Sequence, residues 1–362
     1  MSKRIIIAGG GTGGHIFPAI AIANALKKID NSIEILFVGA KGRMEMEKVP
    51  QAGYKIEGLD IAGFNRSSLI KNIGLPFKLM KSMLQVKRII KRFKPDAAIG
   101  VGGYSSFPVL KVAQGRKIPT FIHESNSFAG KSNKWLGKKA TKVFTGTDGM
   151  EKFFPAEKIM MTGNPVRKAI VDANISRSEG IKFFSLDETK KTILVVGGSL
   201  GAKSINEAID KGLDELLNAG AQIIWQTGKP YAARAKERTS GKQGVWANEF
   251  ITQMEYAYAA ADVVVARSGA MTVAELAVAK KPVVFVPYPF AAEDHQTVNA
   301  LRLVNKNAAW VVKDSEAGEK LVKMAIGLSK DEQQQQELKK NISLLAITDA
   351  DIKVAEEVLK NI

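Results

Sequence analysis

The residues best suited to chemistry fall in two stretches. GGGTGGH runs from Gly9 to His15, and His15 is one of only three histidines in the chain. Histidine titrates near neutrality, so one set against side-chain-poor backbone is suited to take a proton from a substrate hydroxyl. It is equally suited to capping the loop or to binding a diphosphate as a cation. The second stretch, Arg267 to Asn299, reads RSGAMTVAELAVAKKPVVFVPYPFAAEDHQTVN. Here Ser268 can cap a helix expected to begin near Met271, whose first N–H groups suit a diphosphate. Glu275 then lies about one turn inside that helix, where a carboxylate can accept two hydrogen bonds from a ribose diol. Glu293, Asp294, His295 and Gln296 follow as a dense polar set for reading sugar hydroxyls. An ordinary strand–helix–strand turn fits the spacing as well.

These residues need elements to hold them. Residues 4–8 (RIIIA) read as a buried strand, with a helix expected from about Pro18. Ala97 to Val101 is another strand, turning at Gly102-Gly103-Tyr104-Ser105. Thr120 to His123 is a further one, ending in Glu124-Ser125-Asn126. His123 reads as a satisfied core histidine, and Glu124 is a rival to His15 as a base. Thr192 to Val196 enters Gly197–Ala202, with a helix from about Ser204. Val263 to Val265 and Val283 to Val286 are further strands, and Ile342 to Ile362 reads as helical. Two strand–glycine-loop–helix openings mark two similar domains, each with its ligand edge at the C-terminal ends of its strands. Gly9, Gly11 and Gly14 satisfy the dinucleotide pattern G-x-G-x-x-G, a weak signal alone. A nicotinamide site also needs an acid at the end of the second strand, Ile33 to Val38. Gly39-Ala40-Lys41 stands there, and Glu34 sits at the wrong end, so a dehydrogenase is discounted.

The chain has 362 residues, enough for two domains with full cores. It has no cysteine, which removes disulfides and thiolate metal sites and fits a cytoplasmic protein. No apolar run reaches the length of a membrane span, and no signal-peptide pattern is present. The net charge of +17 is uneven: residues 1–163 hold 27 Lys+Arg against 11 Asp+Glu, and the remainder 26 against 25. That asymmetry suits a half that faces a polyanion. Residues 67–95 hold eight Lys/Arg and no acid, interleaved with apolar groups. From Pro76 the pattern is an amphipathic helix. A helix with a solvated basic face satisfies it. So does a surface that docks on anionic lipid through Leu69, Ile73, Leu75 and Phe77, with Lys78, Lys81 and Arg88 alongside. Only Phe77 and Phe93 interleave aromatics with bases, so nucleic acid is disfavoured, and no nucleic-acid partner is expected.

Arg267-Ser268-Gly269 with Thr272 and Glu275, followed by Asp294-His295-Gln296, resembles the nucleotide-sugar region of GT-B glycosyltransferases. Thr12-Gly13-Gly14-His15 and the Gly163-Asn164-Pro165-Val166-Arg167 hinge resemble those of the MurG family. The resemblance covers nearly the full length. It implies an α/β GT-B fold, with two Rossmann-like parallel-sheet domains facing each other across a cleft. The domains are expected at 1–163 and 164–345, with a last helix at about 346–362 packing back on the first. It implies an inverting enzyme that moves N-acetylglucosamine from UDP-N-acetylglucosamine to undecaprenyl-diphosphate-linked muramyl-pentapeptide (lipid I), giving lipid II for peptidoglycan at the cytoplasmic face of the membrane. Donor-binding roles carry over to Thr12, Gly13, Gly14, Asn126, Arg167, Ser199, Ile251, Ala270, Met271, Thr272, Glu275, His295 and Gln296. The Ile251 backbone is expected to read the uracil edge. Gly13, Gly14, Gly103 and Tyr104 are expected at the acceptor diphosphate, and His15 as the catalytic base. His295 stands where well-known relatives carry a second glutamine. No metal-ligating cluster is read beside the glycine loops, so no metal or cofactor is expected; helix N-termini and Arg167 serve the leaving UDP instead. A different GT-B transferase making a membrane glycolipid, such as a diacylglycerol glucosyltransferase, and a nucleic-acid-binding protein are the other readings.

Overall fold

The computed structural model describes residues 2–62, 74–198 and 200–362. They form two compact units, one of residues 1–167 with 349–362 and one of residues 168–348. Leu69, Ile73 and Ser199 lie outside the described residues.

In the first unit the strands are β1 (Arg4–Gly9), β2 (Glu34–Ala40), β3 (Lys55–Leu59), β4 (Ala97–Gly102), β5 (Thr120–Glu124), β6 (Lys142–Thr145) and β7 (Ile159–Met161). Its helices are α1 (Gly13–Ile29), α2 (Glu45–Gln51), α3 (Leu75–Phe93), α4 (Ser106–Gly115) and α5 (Lys131–Gly137). The sheet is parallel in the order β3-β2-β1-β4-β5-β6-β7. Such a sheet is covered on both faces, so its strands read as continuous apolar runs rather than as an alternation. Ile5 and Ile7 of β1 pack one way, with Ile16, Ile22 and Leu26 of α1. Ile6 and Ala8 pack the other way, with Val86 and Ile89 of α3 and Leu110 of α4.

The second unit begins with α6 (Lys168–Val171) and α7 (Arg177–Phe183). Its strands are β8 (Lys191–Val196), β9 (Ala221–Gln226), β10 (Val245–Asn248), β11 (Val263–Ala266), β12 (Val283–Phe285) and β13 (Trp310–Val311). The helices between and after them are α8 (Lys203–Asn218), α9 (Ala232–Thr239), α10 (Met254–Ala260), α11 (Ala270–Ala279), α12 (His295–Val304), α13 (Ala317–Lys330) and α14 (Glu332–Ser343). The parallel order is β10-β9-β8-β11-β12-β13. Each sheet therefore reverses its winding beside its first strand, between β1 and β4 and between β8 and β11. Loops leaving the strand ends at such a reversal make the natural ligand edge.

Helix α15 (Ala350–Lys360) closes the chain and belongs to the first unit. Val354, Ala355 and Val358 enter the core that α1 shares, each valine contributing about 1.5–3 kcal/mol by burial. Lys3 Nζ donates to the Leu359 and Ile362 carbonyls at 3.3 and 2.8 Å.

Three local expectations change. Helix α1 begins at Gly13 rather than near Pro18, which lies inside it. The His15 and Ile16 amides close its first turn on the Thr12 carbonyl at 3.1 and 3.2 Å, and the flexible glycines allow that turn. The C-terminal stretch is not one helix, because residues 344–349 separate α14 from α15. Ser268 does not cap α11: Gly269 takes the cap position, and the Ser268 hydroxyl donates to the Gln296 carbonyl at 2.8 Å.

Candidate functional site

The first unit gathers His15, the two glycine loops and Glu124 at the C-terminal edge of its sheet. Gly102 and Gly103 have φ of +107° and +84°, a region that favours glycine. A Cβ on Gly103 would collide with the Gly10 carbonyl, so the loops after β1 and β4 touch backbone to backbone. A Cβ on Gly102 would lie 2.7 Å from His15 Nε2, so the imidazole occupies the space a side chain would take. His15 Nδ1 is 3.2 Å from the Gly10 carbonyl and 3.4 Å from the Thr12 hydroxyl. A carbonyl oxygen only accepts, so Nδ1 carries the proton and Nε2 keeps the lone pair. Burial pulls the His15 pKa below 6.5, against the opposing pull of Glu124, the Gly10 carbonyl and Glu45. The ring is therefore neutral at pH 7, with Nε2 able to accept a proton.

Glu124 is less suited to that task. Its Oε1 accepts from the Asn126 backbone and side chain at 3.2 and 3.4 Å. Oε2 accepts from the Gly130 amide at 3.2 Å and from the Asn133 side chain at 2.8 Å. Four donors saturate the carboxylate and make it a holder of Asn126 rather than a free base. His123 is a core histidine: its Nε2 donates to the Gly163 carbonyl at 3.1 Å, and Nδ1 faces the Ser125 hydroxyl at 3.3 Å. Burial first, then the nearby His15, lower its pKa to about 4 despite the bond to Gly163.

Gly13 and Gly14 open α1 with no side-chain cap, so their N–H groups point outward for an anion. Tyr104, in the glycine loop after β4, is 45% exposed. The Arg167 guanidinium lies over the Phe17 ring of α1, 4.7 Å from its centroid.

In the second unit the loops after β8 and β11 flank the reversal. Gln226, at the end of β9, accepts the Ile251 amide at 2.9 Å and donates to the Gly198 carbonyl at 3.0 Å. The Ile251 N–H is thus taken by Gln226. Ala270, Met271 and Thr272 form the first turn of α11, with Gly269 at the cap position. Glu275, 8% exposed, accepts the Tyr258 hydroxyl at 3.0 Å through Oε2. Arg267 is held by protein groups along this edge. Its Nη1 donates to the Val286 and Pro287 carbonyls and to Asp314, and Nη2 donates to the Ser204 hydroxyl. It therefore anchors the loop after β12 to the body of the unit. Gln296 Oε1 accepts the Tyr288 amide at 3.0 Å, so that side chain also holds the loop. His295 opens α12, and Asn299 on the same helix donates to the Ser268 carbonyl at 3.0 Å.

Two family models match the chain, the glycosyltransferase family 28 N-terminal domain over residues 5–145 and its C-terminal domain over residues 192–354. A curated relative from Phocaeicola vulgatus is 53% identical over 99% of this chain and 96% of its own length. One from Parabacteroides distasonis is 50% identical over 99% and 98%. Both are named UDP-N-acetylglucosamine–N-acetylmuramyl-(pentapeptide) pyrophosphoryl-undecaprenol N-acetylglucosamine transferase. The chain belongs to the MurG family. A crystal structure of MurG from Acinetobacter baumannii superimposes with a TM-score of 0.76 at 28% identity, covering 99% of this chain and all of that one. The α/β fold with two parallel-sheet domains is that of this family.

Several residues of this MurG-family edge escaped the sequence reading. Gln226, Tyr258 and Asn299 each sit on an element whose pattern marks them only as partly polar. The dinucleotide pattern expects an acid at the end of β2, whereas Glu45 opens the helix that follows, so the pattern does not point to it. On α3, Phe77 is 70% exposed, with Met80 and Leu84 beside it, while Leu75 is half-buried. Lys78 and Arg88 are exposed. Lys81 pairs with Asp60 at 3.0 Å, a carboxylate that also meets Lys41 at 2.8 Å. Among the described residues no helix is long and apolar enough to cross a membrane.

Proposed function

We propose that the chain transfers N-acetylglucosamine from UDP-N-acetylglucosamine to undecaprenyl-diphosphate-linked N-acetylmuramyl-pentapeptide, with inversion at the anomeric carbon. The observation that carries this is the identity of about half, over nearly the whole of both chains, to transferases named for that reaction. The second unit is the donor half. The first turn of α11 faces the diphosphate, Glu275 takes the ribose diol, and the Ile251 carbonyl accepts from uracil. Gly13 and Gly14 face the acceptor diphosphate, with Gly103 and Tyr104 alongside.

In the transfer step the acceptor oxygen bonds to the anomeric carbon as the bond from that carbon to the phosphate oxygen breaks. The hydroxyl proton moves to His15 Nε2, and UDP leaves carrying the electron pair. Backbone N–H groups and Arg167 stabilise the charge on that leaving group, with no metal required. Lipid substrate calls for a membrane surface. The exposed apolar groups of α3, flanked by Lys78 and Arg88, suit an anionic bilayer interface.

Thermal shift with the free protein tests the donor assignment. UDP-N-acetylglucosamine should stabilise more than UDP-glucose, and NAD not at all. Equal shifts for NAD and the UDP sugar overturn it.

A further inference from the structure

An acid lies beneath the Gly9–Gly14 loop, behind the peptide that His15 touches. Glu45 opens α2 and is 1% exposed. Its Oε1 accepts the Ala40 amide at the end of β2 at 3.0 Å, and Oε2 accepts the Gly11 amide at 2.8 Å. The Gly11 N–H and the Gly10 carbonyl belong to one planar peptide unit. The carbonyl end of that unit accepts His15 Nδ1–H at 3.2 Å. We propose that Glu45 positions His15 through the Gly10–Gly11 peptide, an amide-relayed form of the carboxylate–histidine pair.

Three features support it. First, the bonds run in one direction. The carboxylate draws on the N–H end of the amide, which strengthens its carbonyl as an acceptor and so the hold on Nδ1–H. That hold keeps the lone pair on Nε2, the atom assigned to take the proton. Second, space is reserved for the acid. A Cβ on Gly39 would lie 2.5 Å from Glu45 Cγ, and one on Gly10 would meet its carboxylate. Third, Glu45 occupies the Gly11 N–H, which a dinucleotide loop leaves free for a pyrophosphate. The same contact turns a nucleotide-binding pattern into support for a base.

The inference rests on His15 as the base of the proposed transfer. The titratable groups facing His15 are Glu124 and His123 of β5 and Glu45 of α2. Glu124 remains in every variant below, so the expected changes are partial. Glu45→Gln keeps the shape and removes the charge. Histidine-resolved NMR of the free protein should then show a lower His15 pKa and a loss of the single Nδ1–H tautomer. Turnover should fall about 10- to 100-fold, as when a carboxylate behind a functional histidine is lost. The dissociation constant for UDP-N-acetylglucosamine should stay within about twofold, since unit two is untouched. If Glu45→Gln does not fold, the titration is made on Glu45→Asp, which keeps the charge but loses reach to Gly11 and should also mix the tautomers. An unmoved pKa and tautomer in whichever variant folds overturns the inference. The titration needs no substrate, so a protein that titrates as expected but transfers no sugar overturns the proposed function and leaves the Glu45–His15 relationship standing.

Discussion

Gln226 binds two segments of the donor unit at once: Oε1 accepts the Ile251 amide at 2.9 Å and Nε2 donates to the Gly198 carbonyl at 3.0 Å. The glycine loop after β8 and the segment before α10 are therefore set by one side chain. Gln226→Ala leaves both backbone groups without that partner, a loss of about 1–3 kcal/mol in ordering the site. Calorimetry with UDP-N-acetylglucosamine should show weaker binding of that size. Unchanged affinity would mean that the two segments hold their places unaided.

Glu275 and Tyr258 should act on the same ligand group with different weights. Glu275→Ala removes a charged acceptor and should weaken donor binding by about 1.5–3 kcal/mol. Tyr258→Phe removes the hydroxyl whose bond at 3.0 Å orients it and should cost about 0.5–1.5 kcal/mol. The double variant should be less than additive, because the tyrosine acts through the carboxylate. Full additivity in the same calorimetric series would separate the two residues.

His15 sets the pH dependence. Burial lowers its pKa from 6.5, and the base form is the neutral one. The rate should therefore rise with pH through a pKa below 6.5 and be level by pH 7. His15→Ala should lower turnover by about 10²–10⁴ and abolish that acidic limb. A variant that keeps turnover and raises only the acceptor's Michaelis constant makes His15 a binding residue.

Membrane docking should follow charge. Reversing Lys78, Lys81 and Arg88 to Glu should abolish sedimentation with anionic vesicles, each cation near the surface contributing about 1 kcal/mol. Lys81 should contribute least, since Asp60 already pairs with it at 3.0 Å. Donor affinity should be unchanged. Equal sedimentation of the native protein with neutral vesicles would argue against an electrostatic mechanism.

Much of this architecture was legible in the sequence because parallel strands leave strong marks. Ile5–Ile7 and Val263–Val265 are buried on both faces and read as unbroken apolar runs. Glycine loops then marked the strand ends beside which each sheet reverses its winding. What was not legible depends on contacts distant in sequence. Glu45 and Gly11 are 34 residues apart, as Gln226 and Ile251 are 25 apart. Ser268 illustrates the limit: its type and place suit a helix cap, yet tertiary structure turns its hydroxyl to the Gln296 carbonyl. The partners of Arg267 are likewise distant in sequence: it holds the loop after β12 through the Val286 and Pro287 carbonyls.

The most direct test of the whole account is transfer itself. Purified protein is given radiolabelled UDP-N-acetylglucosamine with lipid I in anionic micelles, in the presence of EDTA, beside a parallel reaction offering diacylglycerol. Label should pass to the lipid I fraction as a disaccharide product, at a rate that His15→Ala reduces at least about 10²-fold, and none should reach diacylglycerol. Label on diacylglycerol and none on lipid I, under conditions where the protein binds the donor, would contradict the proposed reaction.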